Sequence, residues 1–143
     1  MRPVLLACLA PAVLAVSLAA QSVGTVSDLM VKVIYPSSDA VFYITSRTPT
    51  TEVEWGELQA KALMLAESAN LLAMPGYARD QDRWLADAKL MREAGAAAFR
   101  AAKNKDLAAL DALNEPLYQS CTTCHMHYRP NYRRRPGTTT SQK

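Results

Sequence analysis

The chain has 143 residues, of which 50% are hydrophobic, 20% charged and 7% aromatic, with only 5 glycines. That profile describes one globular, helix-rich domain and excludes a multidomain enzyme or a chain disordered throughout. The formal charge of +3 is unevenly spread: five of the 16 basic residues, Arg129, Arg133, Arg134, Arg135 and Lys143, follow the last acid, Glu115. With Arg2 set aside, the body carries ten bases against 13 acids, a net −3 beside a +5 tail.

Met1-Arg2 is followed by an apolar run from Val4 to Ala15 and then by the small residues Ser17, Ala19 and Ala20. Residues 1–20 therefore read as a cleaved secretory signal peptide. The run is shorter than the roughly 18 to 20 apolar residues of a spanning helix, so no stable membrane anchor is expected and the mature chain is placed in the periplasm. Three cysteines, Cys8, Cys121 and Cys124, are too few for a disulfide scaffold, and Cys8 falls inside the segment expected to be lost.

The first mature segment, Val26 to Ile44, carries Leu29, Met30, Val33 and Ile34 behind a Ser27-Asp28 cap. Pro36-Ser37-Ser38 is expected to bend or break it, and Val41, Phe42 and Ile44 could also form a strand. Helix is preferred because the rest of the chain is helical and offers no partner strand. The second helix is expected from Glu52 to Ala73, since Trp55, Leu58, Ala62, Leu65, Ala69 and Leu72 recur in steps of 3 and 4. Thr50-Thr51 cap its start and Pro75-Gly76 end it. Trp84, Ala88, Met91, Gly95, Ala98 and Ala102 repeat the pattern in a third helix, with Asp80 or Asp82 as its cap. After a turn at Asn104-Lys105-Asp106, the last helix carries Leu107, Leu110, Leu117, Cys121, Cys124 and Tyr128 near one stripe, with a kink expected at Pro116. The fold class is all-α: an antiparallel four-helix bundle over residues 24–130, followed by a basic, disordered tail at 131–143.

Near the end of the last helix stands Cys121-Thr122-Thr123-Cys124-His125, the Cys-x-x-Cys-His pattern of c-type haem attachment. On a helix, residues i and i+3 share a face, so Cys121 and Cys124 can form thioethers to two vinyl groups of one haem. His125 follows closely enough to be the proximal iron ligand. Two other chemistries compete for the motif. A thiol–disulfide site normally sits at a helix N-terminus, whereas these cysteines lie deep in a helical seam. A zinc site of Cys121, Cys124, His125 and His127 would need His125 and His127 to point the same way from one helix.

The stretch from Cys121 to Arg129, with Met126, His127 and Tyr128 between the histidine and the arginine, resembles the Cys-x-x-Cys-His-x-x-aromatic-Arg ending of the cytochrome c′ family. That resemblance implies an exported four-helix bundle with one covalent haem c, held by Cys121 and Cys124, with His125 as axial ligand and Arg129 near the proximal pocket. Arg129 could bind a propionate or simply complement the helix dipole. The resemblance also implies that the first helix supplies the distal side. Met30 is there the expected sixth ligand, with core packing as the competing role and Met64 and Met91 as alternatives. Tyr35, Tyr43, Trp55 and Trp84 are large enough to wall the haem.

The functional expectation is a monohaem electron carrier that meets a redox partner protein. The alternative is a five-coordinate protein that captures or senses a small diatomic gas, nitric oxide or carbon monoxide. An enzyme is not expected, because His127 is the only other histidine and no distal acid–base pair is visible. Nucleic acid is not expected as a partner, since the Arg133-Arg134-Arg135 run lacks interleaved aromatics. The family resemblance also allows a homodimer.

Overall fold

The computed structural model describes residues 21–129 and Asn131. The expected signal peptide at 1–20, with Cys8, and the arginine run of the expected tail lie outside the described residues. The described chain is helical, with four helical stretches and no strand among these residues. Helix α1 covers 26–42, α2 is Glu52–Leu72, α3 is Arg83–Lys103, and α4 covers 107–128 in two pieces, Leu107–Ala112 and Asn114–Tyr128. No described helix is long and apolar enough to cross a membrane.

Helix α1 starts two residues earlier than a Ser27 cap would put it. Thr25 is the cap: its hydroxyl accepts the Asp28 N–H at 3.0 Å, and the Asp28 carboxylate accepts the Thr25 N–H at 3.0 Å. Pro36 does not break the helix. Met30–Ile34 forms a π turn, in which the Tyr35 N–H reaches back to the Met30 carbonyl. Tyr35–Phe42 then resumes the α-helix with Pro36 in its first turn, where a missing donor costs little. Val41 and Ile44 are buried at the far end, and the strand alternative does not occur.

All six expected seam residues of α2 and all six of α3 are buried, and these two helices share the most extensive contact of the fold. At Gly95 the backbones come so close that an added Cβ would lie 2.7 Å from the Ala66 nitrogen and 2.9 Å from its Cα. Asp82 occupies the N-cap position of α3 without a side-chain bond there, and Asp80 supplies the capping bonds: its Oδ1 accepts the N–H groups of Trp84 (2.9 Å) and Asp82 (3.1 Å). The pair is tied at its ends. Trp84 Nε1 donates to the Leu72 carbonyl at 2.6 Å, and Lys105 pairs with Glu52.

Helix α3 closes with Lys105 in the left-handed region (φ 54°). There the Lys105 and Asp106 N–H groups return to the carbonyls of Ala102 (3.1 Å) and Ala101 (2.9 Å). Asp106 then caps the first piece of α4 through the Ala109 N–H at 2.9 Å. The break in α4 falls at Leu113, three residues before Pro116, which therefore sits in the first turn of Asn114–Tyr128 and needs no helical donor. Leu110 and Leu117 are buried, but Leu107, expected on the same stripe, is 40% exposed at the first position of α4.

Two substitutions check this packing. Gly95→Ala should lower the thermal midpoint, with a net loss of about 1–2 kcal/mol, because overpacking against a backbone outweighs the gain in helix propensity. At the start of α2, hydrogen bonds from Thr50 N–H and hydroxyl, then from Thr51 N–H, lower the Glu54 pKa from the usual 4.5 to about 2. The unfolded chain takes up that proton first, so this stabilisation is complete above pH 4.5 and is lost as pH falls toward 2. Glu54→Gln should unfold with a flatter acid dependence in that window than the parent chain.

Candidate functional site

Cys121 and Cys124 lie on the Asn114–Tyr128 piece, three residues apart and therefore on one face, both half-buried free thiols. Their face borders a cavity of about 440 Å³, within the usual size of a small-molecule or cofactor pocket. Helix α1 contributes Met30, Ile34, Ser38 and Phe42 to its lining, α2 contributes Leu72, and α3 contributes Trp84, Asp87, Ala88 and Met91. Ser120, Cys121, Cys124 and His125 come from α4. Val31, Tyr35 and Tyr118 also line it and are exposed, so they stand at its mouth.

The cavity thus brings together Cys121, Cys124, His125 and Met30, the four residues expected to hold and ligate a haem. Met91 and Trp84 share the wall. Other candidates do not reach it. Met64 is 49% exposed on α2, Tyr43 stacks with the Arg47 guanidinium at 4.6 Å, and Trp55 is spent on the helix seam. Arg129 is exposed just beyond the last turn, with its N–H bonded to the His125 carbonyl at 2.8 Å, and does not line the cavity. It acts on the site through its charge.

The electrostatics separate the competing chemistries. Burial raises the Cys121 thiol, and burial, then the charges of Asp87 and Cys121, push Cys124 up to about 11. Reactive thiol–disulfide centres need the opposite shift, toward thiolate, so that reading fits poorly. Burial first, then the nearby Arg129 charge, lowers the His125 pKa. The imidazole therefore stays neutral at physiological pH, with a lone pair available for a metal. The zinc reading fails on direction, because His127 turns to Asp87. Among the described residues no group of three or more His, Cys, Asp or Glu is arranged to hold a metal ion.

Sequence reasoning missed Asp87. It is 4% exposed, and His127 Nδ1–H donates to its Oδ2 at 2.7 Å, since a carboxylate can only accept. A signal was present: positions 84, 87, 88 and 91 follow the apolar-face spacing of a helix, so an acid at 87 stands where packing alone asks for an apolar residue. The next residue of α4 is anchored too. Tyr128 donates its hydroxyl to Asp80, and its ring meets Trp84 edge-on at 4.9 Å. The two residues that follow Met126 thus bind the motif's helix to the first two turns of α3 and the loop before it.

Compared with known protein families, with curated proteins and with solved structures, the chain matches none.

The raised thiols give a direct check. In the apoprotein, alkylation of Cys121 and Cys124 by iodoacetamide at pH 7 should run well below the rate of an exposed cysteine. It should rise with pH until Cys124 titrates near 11. Fast alkylation at neutral pH would mean that a thiolate is favoured, as in a redox centre.

Proposed function

We propose that this chain is an exported, periplasmic monohaem c-type cytochrome of the cytochrome c′ kind, an antiparallel four-helix bundle that carries one electron to and from a redox partner protein. The observation that carries the reading is the convergence of Cys121, Cys124, His125 and Met30 on one largely apolar cavity. The antiparallel arrangement is supported by contacts between the end of one helix and the start of the next, Trp84 with Leu72 and Lys105 with Glu52. Short connections between the helices favour the same topology.

When bound, haem supplies an iron centre that gains and loses one electron. The residues divide the remaining tasks. Cys121 and Cys124 would hold the ring by thioethers from one helix face, and the half-buried, neutral His125 would offer its ring nitrogen to the iron. Met30 offers a soft thioether from α1, which favours the reduced state and raises the potential. The π turn that begins at Met30 sets the local pitch of the helix on which this side chain is displayed. Leu72, Trp84, Ala88 and Met91 keep water from the cavity, and the opening beside Val31, Tyr35 and Tyr118 leaves an edge for electron exchange.

The reading is tested optically. The purified haem-loaded protein, reduced and then exposed to carbon monoxide, should show a low-spin spectrum and slow or absent carbonyl formation. Met30→Ala should bind the gas at once. An immediate high-spin to carbonyl change in the parent protein would instead identify a five-coordinate gas-binding protein.

A further inference from the structure

Asp87 is a charged group in an expensive place. Removing an ion pair from water costs more than the pair returns unless its geometry is very good, and apolar residues of similar volume are often the more stable choice. The α2–α3 seam has no need of it, because Trp84, Ala88 and Met91 already fill the buried positions around it. Its partner is held by a single bond: Oδ2 accepts from His127 Nδ1–H at 2.7 Å. The side chain is 5% exposed, against 33% for His127, and it lines the same cavity as Cys124 and His125.

We propose that Asp87 is the electrostatic tuning residue of this cavity: a fixed buried anion, anchored by His127, that favours the more positive, oxidised state of the bound iron and holds its reduction potential down. The inference rests on the haem reading and deepens it. Met30 pulls toward the reduced state and Asp87 toward the oxidised one. Two opposed groups would place the couple between the extremes that either alone would give. His127 is the positioning residue of this device. It neighbours the axial ligand in sequence yet serves α3.

The test compares haem-loaded parent, Asp87→Asn and Asp87→Glu by spectroelectrochemical titration at one pH and ionic strength. A unit charge in the cavity wall alters a one-electron equilibrium by about tenfold. Asp87→Asn should therefore raise the midpoint potential by about 59 mV, the one-electron equivalent of tenfold. Asp87→Glu, which keeps the charge, should stay near the parent value. An unchanged potential in haem-loaded Asp87→Asn with a native spectrum overturns the proposal and leaves Asp87 a purely structural partner of His127. That role would show only as a lower thermal midpoint. Should Asp87→Asn fail to load, Asp87→Ser is neutral and smaller and carries the same expectation. A parent chain that retains no covalent haem after denaturation overturns the haem reading together with this inference, whereas a loaded, unshifted Asp87→Asn overturns this inference alone.

Discussion

The contact between α2 and α3 at Gly95 and Ala66 is the constraint on which the rest of the structure depends. Small residues at the middle of the seam, Ala62, Ala66, Ala94, Gly95 and Ala98, let the two backbones meet. The large residues Leu72 and Trp84 lie toward one end, held by the Trp84 Nε1 bond to the Leu72 carbonyl. That end forms a stiff wall. Against it α4 sets Cys121, Cys124 and His125, and α1 sets Met30, so the space left between the helices is apolar on most sides and open at one mouth. In a domain this small, filling that space with a large apolar group would add substantially to the core.

Pro36 and Pro116 fit the fold by shifting helix geometry upstream of themselves. The π turn of Met30–Ile34 absorbs Pro36, and the break at Leu113 absorbs Pro116, so each ring lies in a first turn where no donor is required. The consequence reaches the cavity. Met30 begins the π turn on one side, and on the other the piece of α4 that carries the cysteines is free to choose an angle independent of Leu107–Ala112. Tyr128 on Asp80 and His127 on Asp87 then fix that angle against α3.

Much of this was legible in the sequence because it obeys helical spacing. The two seams, the Thr51 cap, the turn at Asn104 to Asp106 and the shared face of Cys121 and Cys124 follow from periods of 3 and 4 and from local hydrogen bonding alone. Where the reading went astray, a wider interaction decided. Thr25 displaced Ser27 as the first cap through its reciprocal bond with Asp28. Leu107, which periodicity marked as interior, is exposed at the first position of α4, and Met64, marked by residue type, is exposed because it falls off the α2 stripe that Ala62 and Leu65 define. Asp87 escaped notice for a different reason: its partner is 40 residues away, and a single acid inside an apolar stripe has meaning only when the tertiary contact is known. Arg129, expected one turn beyond the ligand, follows the last turn of the helix, where, after burial, its charge lowers the His125 pKa.

The central claim is that this cavity belongs to a haem bonded covalently to Cys121 and Cys124. The most direct measurement is the intact mass of the purified protein under denaturing, reducing conditions after expression in a host that matures c-type cytochromes, beside the Cys121→Ser/Cys124→Ser double variant. The account predicts one haem per chain retained on the parent and none on the variant. A parent chain whose mass is that of the polypeptide alone would contradict it.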